Sequence, residues 1–282
     1  MYFKKLNISI WGILNYSNIL SLDAPLVVLF WQEIIANALK LDLSVSHRIV
    51  LTLSVWLSYS ADRFLECYCH IPGSLLGARH LIFYKNKLIF LTCWFGILIL
   101  DIHQAIIFFS ADHLFISVNV LFLVVFNQYL AICKSKKINN YCSKQFRTAL
   151  ILSIGCVLYP FLNSDCGTVG YFSIPICLFV IFFWNCKLIE LWECNLVSNN
   201  SKQFRSTFER VLTILHIITI FLGIYFLFCM PDFVFLSISF LSTVFALKAF
   251  HKSNVTFEKR RVLMDQAFWI IPFILFLVSL CL

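Results

Sequence analysis

The stretch RIVLTLSVWLSYSADRFLE, Arg48 to Glu66, reads as one helix that is apolar from Ile49 through Leu57, turns polar at Ser58, Tyr59 and Ser60, and closes on Asp62 and Glu66. Residues four apart share a helix face with Cβ atoms roughly 5–6 Å from one another, so the two carboxylates point at one site. About 20 mostly apolar residues cross the ~30 Å hydrocarbon core of a bilayer. Acids at the end of such a segment are costly, and residues of this kind mark ion or substrate pathways.

Outward from this stretch, the chain keeps the same character. Of its 282 residues 61% are hydrophobic and only 13% charged, with a mean hydropathy of +0.87. That composition departs from soluble globular usage and makes lipid the expected solvent. Nine apolar runs are expected to form spans: Ser21–Leu39, Arg48–Glu66, Leu88–Phe109, His113–Cys133, Thr148–Leu162, Val169–Leu191, Val211–Cys229, Asp232–Leu247 and Leu263–Leu282. The expected fold is all-α, a single integral-membrane domain over 1–282 with no soluble domain of ordinary size. Met1–Leu20, with Lys4 and Lys5, reads as a cytoplasmic or interfacial entry segment.

The net charge of +8 is explained by topology. Eighteen of the 22 Lys and Arg residues fall in every second loop, the pattern that the positive-inside rule gives for nine spans with the N-terminus inside and the C-terminus outside. A bacterial cytoplasmic membrane is the expected location. Nucleic-acid binding is not expected, because it needs basic residues clustered on a folded surface.

A second acidic pair, Glu190 and Glu193, closes the sixth run as Asp62 and Glu66 close the second. Spans two and six are four apart, so the acids hold corresponding places in two four-helix halves followed by one further helix, as in an internally repeated membrane fold. Two facing carboxylate pairs beside basic loops suit a diphosphate. Mg²⁺ is bound through one or two carboxylates, phosphate oxygens and water. It stabilises a leaving diphosphate, Lys or Arg clamps the remaining oxygens, and an apolar bundle accommodates a prenyl chain.

These residues resemble the intramembrane aromatic prenyltransferase superfamily, the UbiA family. Its members have nine transmembrane helices, a motif N-D-x-x-D-x-x-x-D after helix two and a D-x-x-x-D motif after helix six. Here Ser58-Tyr59-Ser60-Ala61-Asp62-Arg63-Phe64-Leu65-Glu66 occupies the first place and Asn185-Cys186-Lys187-Leu188-Ile189-Glu190-Leu191-Trp192-Glu193 the second. Leu22-Asp23-Ala24-Pro25 is similar to the family's helix-one entry, and Tyr141 with Lys144 to a Y…K element before helix five. Ser58 and Tyr59 stand where the family has Asn and Asp, Glu66 stands for the last Asp, and the second pair is spaced by three rather than four.

The resemblance implies a Mg²⁺-dependent transfer of a prenyl group from a polyprenyl diphosphate to a lipophilic or aromatic acceptor. Asp62, Glu66, Glu190 and Glu193 would be the catalytic and metal-holding acids, and Arg63, Lys144, Arg147, Asn185 and Tyr59 the substrate contacts. Two other readings fit the same chain: a catalytically silent relative acting in lipid binding or assembly, and a small-solute transporter. The transporter would call for Gly- or Pro-broken helices, and 8 Gly and 6 Pro give that little support.

The remaining residues read more plainly. The twelve cysteines lack paired C-x-x-C spacing and read mostly as small hydrophobes, with Cys67, Cys69 and His70 a sparse C-x-C-H short of a zinc set. His47, His80 and His103 read as loop-edge polar residues, and Asp101 and Asp112 as ordinary helix-end acids on the outward side.

Overall fold

The structure is a computed structural model and describes residues 16–69, 85–132, 143–164, 168–197, 202–229, 233–252 and 257–281. Among these residues no strand occurs. Nine long helices follow in order: α1 (Asp23–Ala38), α2 (Val45–Cys69), α3 (Lys87–Phe108), α4 (Ala111–Ile132), α5 (Lys144–Leu162), α6 (Thr168–Val197), α7 (Lys202–Cys229), α8 (Val234–Lys252) and α9 (Phe257–Cys281). Backbone amides and carbonyls in hydrocarbon must find partners within the segment, which is why long apolar runs fold as helices there.

Six helices, α3, α4, α5, α6, α8 and α9, are long and apolar enough among the described residues to cross a bilayer. The chain therefore has the make-up of a polytopic membrane protein. Of the other three, α1 has 16 residues, and α2 carries Arg48, Asp62, Arg63 and Glu66 along its length.

At the ends where basic residues gather, several helices outrun their apolar runs. α5 begins at Lys144 rather than Thr148, α7 at Lys202 rather than Val211 and α9 at Phe257 rather than Leu263, while α6 continues to Val197 and α8 to Lys252. Hydropathy stops where lipid stops, whereas the i→i−4 hydrogen-bond ladder continues into the interface. The extra turns carry functional candidates into ordered helix.

α1 is the inner helix and touches α2, α5, α8 and α9. Within the first four helices α2 packs on α1, α3 and α4; within the next four α6 packs on α5, α7 and α8. The core lies around α1. Trp31 is fully buried, stacks on Phe240 with ring centroids 5.1 Å apart, meets Phe182 edge-on at 6.4 Å and donates its indole N–H to the Phe268 carbonyl at 3.1 Å. One ring thus joins α1, α6, α8 and α9. Its polar edge is satisfied, as a buried Trp requires.

At the periphery the pattern inverts. Only 11% of the apolar stretch of α3 and 6% of that of α4 is buried, against 44% for α6, and Leu88, Ile99, Phe115 and Phe122 are largely exposed. Apolar surface on this scale would be a liability in water. It suits a lipid-facing rim.

Two features at the expected outward side differ from their sequence reading. Asp101 lies within α3 rather than at its end. It is 7% exposed and accepts the Ser54 hydroxyl of α2 at 2.7 Å, because a carboxyl facing neighbouring helices escapes lipid only by finding a donor there. His47 is equally buried, two residues inside α2. Its ring stacks on Phe109 at 4.6 Å and its Nδ1 bonds the Ser44 hydroxyl, so it packs as an aromatic between helices.

Candidate functional site

Where α1, α5 and α9 begin and α2, α4 and α6 end, a cavity of about 240 Å³ opens among the helices. Alternate helices run in opposite directions, so residues far apart in sequence meet at one end of the bundle.

The last turns of α2 supply Ser58, Tyr59, Asp62, Arg63 and Glu66 to this cavity. Neighbouring side chains grip the α2 backbone just before the acids. Trp94 of α3 donates to the Leu57 carbonyl at 3.0 Å, and Gln128 of α4 donates to the Ser58 carbonyl at 3.0 Å. These helix-helix hydrogen bonds fall where the sequence turns polar, at Ser58 to Ser60. These contacts fix the face on which Asp62 and Glu66 point.

Lys144 reaches both carboxylates from the first turn of α5. Its Nζ lies 2.9 Å from each Asp62 carboxylate oxygen and 2.8 Å from Glu66 Oε1. Ser143 caps that helix, its hydroxyl accepting the Phe146 amide at 3.3 Å, as a good N-cap residue does. Arg63 adds a longer contact to Glu66, 3.7 Å from Nη1 to Oε2.

α6 brings Asn185, Cys186, Ile189 and Glu190 to the opposite part of the lining. Glu190 pairs at 2.7 Å with Lys187, one turn earlier on the same helix. The Asn185 side-chain oxygen is buried and has no hydrogen-bond partner among the described residues, an expensive state for an acceptor. Of the four acids expected to share a site, Asp62, Glu66 and Glu190 line this one cavity. The backbone of Glu193 continues α6, while its side chain lies outside the described residues, as do Tyr141 and His70 and the side chains of Cys67 and Cys69.

Arg147 stands back from the lining. It is buried and its Nε donates to Asn127 at 2.8 Å; Asn127 is the residue that faces the cavity. Arg147 therefore orients an amide in the wall, where a direct anion contact was expected.

Sequence reasoning placed Asp23 only in the helix-one entry and missed the acidic pair it forms with Asp265. Asp23, the first residue of α1, and Asp265 of α9 both line the cavity, and Asn18 donates one side-chain N–H to each at 2.8 Å. Arg261 in turn donates to the Asn18 carbonyl oxygen at 3.1 Å. The chain reaches this arrangement through Ser21, whose φ of 58° places a non-glycine residue in the left-handed region at a cost of roughly 1 kcal/mol. An acid within the first residues of each apolar run was the available signal.

Among the described residues five carboxylates, those of Asp23, Asp62, Glu66, Glu190 and Asp265, thus face two lining cations, Arg63 and Lys144. The floor is apolar, with Val27, Leu152, Phe182 and Phe268. A lining so rich in carboxylates welcomes a cation, alone or escorting an anion, above a surface fit for hydrocarbon.

The donor set can be tested against Mg²⁺ on the Lys144 ammonium, which serves as a stand-in cation. Three oxygens from Asp62 and Glu66 already converge on that one positive point. No group of three His, Cys, Asp or Glu residues is arranged to hold a metal among the described residues. Two carboxylates nevertheless match the way Mg²⁺ is usually held, with water and substrate phosphate completing the shell. No family model, curated protein or solved structure matches the chain.

Proposed function

We propose that this chain is a UbiA-like intramembrane prenyltransferase that moves a prenyl group from a polyprenyl diphosphate to a lipophilic or aromatic acceptor. All nine helices would cross a bacterial cytoplasmic membrane, with the N-terminus and the cavity mouth inside and the C-terminus outside. One observation carries the reading: the acid-bearing ends of α2 and α6 line a single cavity with Arg63 and Lys144, over an apolar floor.

In this reading the diphosphate lies among Arg63, Lys144 and the Asn185 amide, and the first isoprene units lie against Val27, Leu152, Phe182 and Phe268. Asp62 and Glu66 would hold Mg²⁺, which supplies charge stabilisation for the departing diphosphate. The acceptor's nucleophilic atom bonds to C1 of the prenyl chain, the C1–O bond breaks, and the diphosphate leaves with the electron pair. The acceptor's displaced proton passes to water. Phe182 and Phe268 present apolar ring surface to carbon that gains positive character, and the apolar floor keeps water away from it.

Membranes containing the protein, given Mg²⁺, labelled geranyl, farnesyl and longer prenyl diphosphates and a panel of aromatic acceptors, should release diphosphate and form prenylated product. Asp62→Ala and Glu190→Ala should each abolish release. Absence of both turnover and Mg²⁺-dependent prenyl diphosphate binding overturns the proposal.

The close hold of Lys144 on both α2 acids favours a second reading, a silent relative that binds a lipid diphosphate and leaves it intact. Binding without release under the same conditions selects it.

A further inference from the structure

The Lys144 ammonium and a divalent cation need the same oxygens. Nζ makes three contacts of 2.8–2.9 Å to Asp62 Oδ1, Asp62 Oδ2 and Glu66 Oε1, while Mg²⁺ bonds such oxygens at ~2.0–2.1 Å. Two positive centres within that space would repel strongly in a partly buried setting. One must leave. Lys144 has the means: its side chain is 32% exposed, and its stem is a flexible four-carbon chain anchored at the start of a capped helix.

We propose that Lys144 is an internal competitor for the divalent cation, so that metal at Asp62 and Glu66 drives its ammonium off the carboxylates and offers it to an anion in the same cavity. Formal charge supports the exchange. The five lining carboxylates with Arg63 and Lys144 sum to −3, and a divalent cation raises that to −1, which lessens the repulsion a phosphate or diphosphate meets and frees the Lys144 ammonium to pair with it. Cation and anion then favour each other's binding, reciprocally, as linkage demands. Without the cation the lysine neutralises the acids and the anion finds little attraction. The anion's identity as a diphosphate rests on the proposed function; the competition itself does not.

The test uses the purified full chain in detergent and Mn²⁺ as the probe, followed by electron paramagnetic resonance. Lys144→Met, which removes the competing charge, should bind Mn²⁺ at least ~5-fold more tightly than the wild type, at the low end of typical coupling, and Lys144→Arg should stay near the wild type. In the wild-type protein, saturating Mg²⁺ should raise reductive methylation of Lys144, read by mass spectrometry. This second measurement decides the matter if Lys144→Met fails to fold.

Equal or weaker Mn²⁺ binding by a folded Lys144→Met, no Mn²⁺ binding by either protein, or unchanged Lys144 methylation overturns the proposal. Tighter Mn²⁺ binding together with no prenyl transfer by the wild type would retire the transferase and keep the competitor. Turnover with unchanged Mn²⁺ affinity would do the reverse.

Discussion

Replacing Arg48 by methionine should destabilise the protein far more than replacing its partner Glu33 by glutamine. Arg48 at the start of α2 donates from Nε to Glu33 Oε1 at 2.5 Å and from Nη2 to Oε2 at 3.1 Å, a bidentate pair joining α2 to α1. Coulomb attraction at such distances is about 5–7 kcal/mol at an effective dielectric constant of ~20. The partners differ in access to water: the Glu33 side chain is 7% exposed and that of Arg48 34%. Solvent at the arginine screens part of the attraction, which brings the expected cost of Arg48→Met to about 2–3 kcal/mol, below the ~3–5 kcal/mol for a fully buried broken pair. That variant strands a carboxylate among packed helices. Glu33→Gln only releases an arginine that can turn to water, and should cost about 1 kcal/mol. The double variant should be more stable than Arg48→Met alone. Equilibrium unfolding in mixed detergent micelles measures all three. An Arg48→Met cost no larger than that of Glu33→Gln would refute the reasoning, since it would mean that the carboxylate has another source of compensation or lies open to water.

Two further perturbations probe the packing. A Cβ added at Gly223 of α7 would lie 2.8 Å from Leu241 Cδ2 and 2.9 Å from its Cγ on α8, so Gly223→Val should cost about 1–3 kcal/mol of stability in the same unfolding assay, and Leu241→Ala in addition should restore part of it. Ser54→Ala removes the hydroxyl that Asp101 accepts and should cost about 1–3 kcal/mol; pairing it with Asp101→Leu, which removes the stranded carboxyl, should recover most of that loss in thermal unfolding.

Hydropathy alone carried the reading as far as an all-helical membrane chain, because a span must be both apolar and long. It was less able to place helix ends. The first turn of α5 holds Lys144 and Arg147, residues too polar to join an apolar run, yet their backbone hydrogen bonds continue the helix. The i, i+4 spacing of Asp62 and Glu66 was enough to predict that they share a face, and both meet Lys144. No one-dimensional pattern reveals that Asn18 bridges Asp23 to Asp265, because that contact depends on α9 packing against α1. His47 and Asp101 misled for a related reason. Beside a run's edge a polar residue reads as solvated, whereas His47 finds Ser44 just before its own helix and Phe109 at the end of α3, and Asp101 finds Ser54 of α2.

The thin wall at α4 has a consequence for supply. Asn127 and Gln128 line the cavity, while Phe122 and Phe126 on the same helix are exposed to the lipid side. Among the described residues a single helix stands between the cavity and that exposed apolar face. For an amphiphile that dissolves in the bilayer, the concentration governing occupancy is its mole fraction among the lipids rather than its molarity in water. Titrations of this site belong on a surface-dilution scale, with detergent or lipid varied against a fixed amount of ligand.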